Sequence, residues 1–371
     1  MNLGRVQGIA ISIHASWLLI FALVVYTLGA GYFAMLLPGW PPWQVWGYAV
    51  LSSLLFFLCV VLHELGHALV AKRQGIGVDG ITLFLLGGVA RMRAEPATPQ
   101  AELQVALAGP AASIVLAALF GLASLALGGI EGTPPLGAIT AYLAFINALV
   151  VAFNMVPAFP LDGGRTLRAL LWWRIQDVAR ATRLASAGGK AFGILLMAGG
   201  LAFAGFGHFF NGLWFLLVGW FLTDAAASHY AQTLSQYSLA GVPLSEILEE
   251  QPNAVSGDTT IQELVDTRLG YSSPDPVPVV HEGRIEGLVG IPEVKRIDRA
   301  AWPFTTARDA MAPVGVYAVA SSEHDAWDTL VSMSERSLDW MAVFENGEFR
   351  GLVSPRRLLQ YARRRQGLAG A

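Results

Sequence analysis

Six apolar segments, each long enough to cross a lipid bilayer, constrain the fold of this chain more than any other feature. A helix needs about 20 apolar residues to span a membrane, and its backbone polar groups are then satisfied within the helix. We place the segments at Ser12–Leu37, Trp43–Ala71, Glu102–Leu127, Leu136–Val156, Gly189–Gly207 and Phe209–Ala227. The sequence therefore predicts a polytopic α-helical membrane domain of about six transmembrane helices.

The distribution of charge supports this prediction. Only 14% of the 371 residues are charged, whereas a soluble domain carries about 25%. Charged residues are sparse as far as Ala231 and reach the density of a soluble protein from Val242 onward. We predict a membrane domain at residues 1–231, a linker at 232–241 and a soluble α/β domain after the linker. The net charge of −3 gives no reason to expect a nucleic-acid partner.

Basic residues are concentrated in two of the predicted loops. The loop between the second and third segments contains Lys72, Arg73, Arg91 and Arg93. Further arginines and Lys190 lie between the fourth and fifth segments, whereas the other loops contain no lysine or arginine. The positive-inside rule therefore predicts a multi-pass protein of the cell membrane with both termini in the cytoplasm.

Between Gly164 and Ala187, arginines alternate with leucine, tryptophan and isoleucine at helical spacing. This pattern predicts an amphipathic helix on the cytoplasmic surface of the membrane. A basic loop without regular structure is the alternative.

His63, Glu64 and His67 form an H-E-x-x-H pattern near the end of the second apolar segment. Two histidines four residues apart share one face of a helix and can bind one zinc ion, and the glutamate between them can act on a water molecule. Ionisable residues are costly inside a membrane, so three of them within one turn indicate a functional site. The alternative is a pair of core histidines that are satisfied by hydrogen bonds.

A third zinc ligand is needed, because catalytic zinc usually takes three protein ligands. Cys59 is the only cysteine, which excludes a cysteine-based zinc site and leaves a carboxylate or a distant histidine. Asp162 is the best candidate, since Pro157 and Pro160 break the helix before it and allow the chain to fold back. An ordinary Asp-Gly turn without a metal is the alternative.

Together with Ala108-Gly109-Pro110 in the third segment, these motifs resemble those of the site-2 protease family of intramembrane zinc metalloproteases, peptidase family M50. The resemblance covers most of residues 1–230. It implies a catalytic core made of the second, third and fourth spans, and hydrolysis of peptide bonds within or near the transmembrane segments of membrane-anchored proteins.

The resemblance also assigns roles to individual residues. It implies one zinc ion per chain on His63, His67 and Asp162, with Glu64 as the catalytic base. Asn154 matches a family residue implicated in substrate handling, although a hydrogen bond between helices explains it equally well.

The segment Leu83–Ala90 resembles the membrane-dipping β element of the family. Such an element can pair with an extended substrate by strand addition, which makes Gly87 and Gly88 candidate substrate contacts. A strand in an ordinary loop is the alternative.

The soluble part contains an internal repeat: Val279–Val289 recurs as Ala342–Val353. Each copy is expected to form a strand, a tight turn and a second strand, with a helix before and after it. Periodicity alone shows a duplicated α/β unit. The pattern resembles a tandem pair of CBS modules, at residues 242–300 and 301–365 with a tail at 366–371, as in the site-2 protease subgroup that carries cytoplasmic CBS domains.

CBS pairs bind adenine nucleotides through an aspartate and a serine or threonine, and this chain departs from that pattern. The aspartate positions contain Glu293 and Arg357, and the serine or threonine positions contain Gly290 and Ser354. Glu293 and Ser354 are therefore the candidate nucleotide contacts, and a homodimer formed through the CBS modules is the alternative role.

A membrane domain followed by CBS modules also occurs in transporters and channels, where the histidines and Asp162 would line a metal-ion pathway. Transporters usually place polar residues along several spans and often contain inverted repeats. Here the charge is concentrated at one point and no such repeat is visible. The sequence therefore favours a protease that acts on membrane-embedded proteins in the lipid bilayer.

Overall fold

The computed structural model describes residues 2–85, 87–132, 134–248, 254–269, 276–281, 284–313, 318–346 and 348–369. The chain divides into two compact units, Met1–Ala231 and Gln232–Ala371.

In the described part of the chain, six helices are long and apolar enough to cross a membrane. They are α1 (Trp17–Leu36), α2 (Pro42–Arg73), α3 (Pro99–Ala126), α5 (Pro134–Asn154), α7 (Val178–Gly205) and α8 (Phe209–Leu239). The short helices α4 (Gly129–Gly132) and α6 (Asp162–Ile175) lie between them. The predicted polytopic helical domain is confirmed.

Ordinary capping signals fix the ends of helix α2 and the start of helix α3. Helix α2 begins at Pro42, where the missing N–H costs no hydrogen bond, and its last turn places Lys72 and Arg73 at the negative end of the helix dipole. Helix α3 is capped by Thr98, whose side chain accepts a hydrogen bond from the N–H of Ala101 at 3.2 Å.

Three expected boundaries are wrong. The sixth span does not end at Ala227, because α8 continues to Leu239 through most of the expected linker at residues 232–241. Ser12 was expected to begin the first span but lies in a β-strand, and the helix begins only at Trp17. The fifth span begins at Val178 instead of Gly189, so the expected amphipathic helix at residues 164–187 is two helices. The break comes at Gln176, which adopts a left-handed conformation with φ 59°. Asp177 then caps α7 by accepting a hydrogen bond from the N–H of Arg180 at 3.0 Å.

A four-stranded sheet belongs to the first unit, in the order β1 (Asn2–Val6), β2 (Ile9–Ile13), β3 (Val78–Phe84) and β4 (Gly87–Met92). Strands β2 and β3 pair in parallel, and β3 and β4 pair antiparallel. The predicted β element at residues 83–90 thus contains the end of β3 and the start of β4, while Leu86 lies outside the described residues. The two N-terminal strands were not predicted.

Helices α2, α3 and α5 pack directly on one another. A Cβ atom on Gly66 of α2 would lie 2.7 Å from the carbonyl oxygen of Ala108 on α3, so only glycine allows the two backbones to come this close. This close approach leaves His67, the next residue of α2, within contact distance of α3.

The second unit consists of two similar halves. The first contains β5 (Val255–Ser256), α9 (Ile261–Leu264), β6 (Val277–His281), β7 (Arg284–Val289), α10 (Ile291–Val294), α11 (Ala307–Ala310) and β8 (Ala312–Pro313). The second contains β9 (Ala318–Ser321), α12 (Ala326–Glu335), β10 (Met341–Glu345), β11 (Glu348–Val353) and α13 (Pro355–Ala369). Each half pairs an antiparallel hairpin with one parallel strand.

The two halves share a small apolar core that contains Leu288 of β7, Ala342 of β10 and Leu352 of β11. All three side chains are almost completely buried. The predicted duplicated α/β unit is confirmed, since the repeat copies form equivalent hairpins that pack on each other.

Candidate metal centre

His63 and His67 lie one turn apart on α2 and are both buried, with exposed fractions of 4% and 3%. Their Nε2 atoms point to the same place and are 3.2 Å apart. The α-helical spacing of the motif alone accounts for this arrangement, because positions i and i+4 lie on one face of a helix.

Asp162 is the first residue of α6 and reaches the same place. Its Oδ2 atom is 3.2 Å from Nε2 of His63 and 3.3 Å from Nε2 of His67. The three donor atoms all lie within 4.8 Å of one another. Two imidazole nitrogens and one carboxylate oxygen form one of the donor sets that catalytic zinc takes in proteins.

The chain returns toward α2 through a tightly packed turn at residues 155–161. A Cβ atom on Gly163 would collide with the backbone of Met155, and one on Gly164 would collide with the backbone of Phe159. The paired glycines are therefore required for the turn to close as it does. They allow Asp162, which precedes them directly, to fold back against the histidines.

The remaining ring nitrogen of each histidine is held by α3. Nδ1 of His63 lies 2.9 Å from Oγ of Ser113, and Nδ1 of His67 lies 2.6 Å from the carbonyl oxygen of Val105, to which it donates. Such outer contacts fix the ring orientation and leave Nε2 available for a metal. Neither partner was predicted from the sequence. Ser113 was visible as a polar residue four positions after Gly109, whereas a backbone carbonyl leaves no signal in the sequence.

Gly109 of α3 keeps the space beside the donor atoms open. A Cβ atom on this residue would collide with Nε2 of His67 and would lie 2.6 Å from Nε2 of His63. The space next to the two Nε2 atoms is thus free of any side chain from position 109. Together with the donor set and the fixed ring orientations, this shows that the residues present fit a zinc ion.

The side chain of Glu64 extends from helix α2 to strand β4 of the sheet. Glu64 follows His63 on α2, and a Cβ atom on Gly88 of β4 would lie 2.6 Å from its Cγ atom. In the part of the chain that the structure describes, β4 is one of the two outer strands of its sheet, and β1 is the other. The glycine at this point lets the strand pass directly over the Glu64 carboxylate.

Gly87 and Asn154 are the other two residues that were predicted to contact substrate. Gly87 opens β4 with φ 131°, a conformation that other residues rarely adopt. Asn154 is the last residue of α5, eight positions before Asp162, and is partly buried.

The residues predicted to contact a nucleotide are engaged locally. The Glu293 carboxylate accepts a hydrogen bond from the N–H of Gly290 at 3.0 Å, and Oγ of Ser354 accepts one from the N–H of Arg357 at 3.3 Å. Each side chain therefore caps the helix that follows its own hairpin.

A buried group of charges was also missed. The side chain of Arg168 on α6 is only 2% exposed. It donates from Nε to Oε1 of Glu102 at 2.6 Å and from a terminal nitrogen to Oε2 of Glu95 at 3.1 Å. Burial alone lowers the pKa of Arg168, but the two carboxylates outweigh this effect and raise the pKa above its usual value. Glu102, a lone charge within a predicted span, was the signal that could have revealed this group.

Comparisons with known proteins point to one family. The profile described as Peptidase family M50 matches residues 51–136 and 131–198, which include His63, His67 and Asp162. A Mycobacterium tuberculosis protein named as zinc metalloprotease Rip3 is 32% identical over 317 residues, which cover 84% of this chain and 79% of that protein. Zinc metalloprotease MJ0392 of Methanocaldococcus jannaschii is 29% identical over 367 residues, with 97% and 95% covered.

Among solved structures, the site-2 protease from Methanocaldococcus jannaschii matches with a TM-score of 0.44 and 29% identity, covering 62% of this chain and 94% of that chain. The CBS domain of a bacterial CNNM/CorC family Mg²⁺ transporter, solved with ATP, matches with a TM-score of 0.31 and 19% identity, covering 36% and 96%.

Proposed function

The chain belongs to peptidase family M50, the site-2 type of zinc metalloprotease, and on that premise we propose that it hydrolyses peptide bonds within or near the transmembrane segments of membrane-anchored proteins. One observation carries the proposal. His63, His67 and Asp162 bring three metal-binding atoms together on buried side chains of a unit made largely of membrane-length helices. Buried ionisable groups in such a unit are costly and indicate a function.

In this proposal, His63, His67 and Asp162 hold the zinc ion. When bound, zinc acts as a Lewis acid and lowers the pKa of a water molecule to near 7. Ser113 and Val105 hold the two imidazoles with Nε2 directed at the centre, so the ligands need little rearrangement.

Glu64 is proposed to move the proton. It accepts a proton from the water that attacks the scissile carbonyl carbon and then delivers this proton to the nitrogen of the leaving amine. The position of Glu64 supports this role, because it is next to the ligand His63 on α2 and its side chain lies against Gly88 of strand β4.

The outer edge of β4 is proposed to bind the substrate. A transmembrane substrate hides its peptide bonds inside a helix, so it must unwind before cleavage, and an extended segment can then add to an available strand edge. Gly87 and Gly88 add no side chain to β4 beside Glu64, and Asn154 is proposed as a further contact.

The second unit is proposed to regulate the protease or to join two copies of the chain, with adenine nucleotide as the candidate ligand. Glu293 and Ser354 are the proposed contacts, and a nucleotide would compete there with the helix caps that both side chains form. We place this unit and both termini in the cytoplasm, because the lysines and arginines of the first unit are concentrated in two of its loops.

The proposal is tested by purifying the full-length protein and its Glu64→Gln variant in detergent, with single-span membrane peptides as substrates. The variant should retain zinc and lose about 10²- to 10⁴-fold in cleavage rate, which is the usual contribution of a general base. Glu131→Gln, at an exposed glutamate of α4, is the matched control and should cleave like the native protein. Undiminished cleavage by Glu64→Gln would contradict the mechanism.

A further inference from the structure

A buried group of charges lies on the same helix as the proposed ligand Asp162. Arg168 follows Asp162 by six residues, about 9 Å along α6 at 1.5 Å per residue. We define the Arg168 cluster as Arg168, Glu102, Glu95 and Phe159. None of its members is among the three donor residues of the candidate metal centre.

The Arg168 cluster connects four parts of the first unit. Glu102 lies in the first turn of α3 and Glu95 in the link between β4 and α3, while Phe159 belongs to the turn before Asp162. The guanidinium of Arg168 lies 5.3 Å from the centre of the Phe159 ring. The same ring also lies against His229 on α8, at 4.6 Å between ring centres. The cluster thus joins the turn that delivers Asp162 to the helix that orients the histidines.

The geometry of the cluster leaves α6 little freedom. Two nitrogens of Arg168, Nε and one terminal nitrogen, contact Oε1 of Glu102. Two donors of one guanidinium fork that meet the same oxygen restrain the direction of approach as well as the distance, which a single charge contact does not. Glu102 is fully buried, so a rotation or withdrawal of α6 would leave its charge without its partner, which is strongly unfavourable.

We propose that Arg168 is a positioning residue for the metal centre. Its pairs with Glu102 and Glu95 hold α6 at the rotation and depth at which Oδ2 of Asp162 meets both histidines. The inference rests on the proposed zinc site. Mutation of residues that orient metal ligands typically lowers metal affinity by about 10- to 100-fold.

The test separates positioning from simple stabilisation. Arg168→Met alone leaves a buried carboxylate unpaired, so the double variant Arg168→Met, Glu102→Gln is used to remove both charges together. We expect its metal-free form to unfold at a temperature close to that of the native metal-free protein. Its zinc affinity, measured by chelator competition on the full-length protein in detergent, should be about 10- to 100-fold lower. The visible absorption of the Co²⁺-substituted form should change as well.

Two further variants make the experiment specific. Arg174→Met removes an exposed arginine from the same helix and should leave both zinc affinity and the Co²⁺ spectrum at native values. Arg168→Lys keeps the buried charge without the fork, so it should fold and should show a smaller loss of zinc affinity in the same direction.

A double-mutant cycle tests whether Arg168 acts through Asp162. In an Asp162→Ala background, adding the Arg168→Met, Glu102→Gln pair should leave the residual zinc affinity of the two histidines unchanged. An equal loss in both backgrounds would overturn the inference, as would native affinity and an unaltered Co²⁺ spectrum in the double variant. If Asp162→Ala itself does not weaken zinc binding, the proposed zinc site is wrong and not merely the role of Arg168.

Discussion

At the scale of single residues, the centre depends on side chains that are small or absent as much as on the ligands. Gly109 leaves space beside the Nε2 atoms of both histidines, and Ser113 on the same helix contacts Nδ1 of His63. The same helix therefore supplies space and orientation, while α2 and α6 supply the donor atoms.

We predict that Gly109→Ala prevents normal metal binding. The added methyl group would collide with Nε2 of His67, so at least one imidazole must move away. Zinc content after dialysis against a mild chelator should fall well below that of the native protein. Gly121→Ala is the matched control on α3, because its methyl group would lie 3.9 Å from the Cβ atom of Ala144, an ordinary contact. Native zinc content in Gly109→Ala would show that the rings are not held where we place them.

Ser113→Ala should weaken zinc binding without abolishing it. The variant removes the partner of Nδ1 of His63, so the ring loses its fixed orientation and the affinity should drop by about 10- to 100-fold. Chelator competition on the purified protein measures this effect, with Ser124→Ala on the same helix as the control. An unchanged dissociation constant would mean that helix packing alone orients the ring.

At the scale of helices and strands, much of the structure followed from local signals. Apolar length predicted the six long helices, and the spacing of His63 and His67 predicted their shared face. The prolines before Asp162 indicated that the helix ends there and that the chain folds back toward the histidines. The family resemblance based on these motifs is confirmed by the profile match and by the curated relatives.

Other features lay outside what local patterns encode. Strand β2 pairs with β3 across about 70 residues, and neither partner shows that pairing in its own sequence. The contact from His67 to the carbonyl oxygen of Val105 uses a group that every residue has. The break at Gln176 was encoded, since Asp177 is a good N-cap, but the apolar and basic alternation around it suggested one continuous helix.

Strand β4 provides the prediction at this scale. Gly88→Ala places a methyl group against Cγ of Glu64, so the carboxylate must shift while the three metal ligands stay in place. We expect cleavage of membrane peptides to fall about tenfold or more with zinc content at the native level. Gly31→Ala on α1, where nothing lies within 4 Å of the added methyl group, is the control. Loss of zinc in Gly88→Ala would show that β4 supports the metal centre itself.

At the scale of the whole molecule, charge is distributed unevenly along the chain. Basic residues of the first unit are concentrated before α3 and from α6 into α7, whereas residues 38–42 and 207–208 contain none. Positively charged segments resist transfer across a membrane, so this pattern predicts which loops remain in the cytoplasm. A peptidase of this architecture would then be open to cytoplasmic regulation through its second unit.

The single cysteine makes this orientation testable by labelling. Cys59 is buried and can be replaced by alanine, after which one cysteine is introduced at a time. In intact cells, a membrane-impermeant maleimide should label Pro38→Cys and His208→Cys but neither Arg180→Cys nor Asp328→Cys. All four positions are exposed in the structure, so labelling reports the side of the membrane and not burial within the protein. Permeabilised cells serve as the control, because all four variants should then react. Labelling of Arg180→Cys from outside would reverse the orientation and would place the second unit, with any nucleotide it binds, outside the cytoplasm.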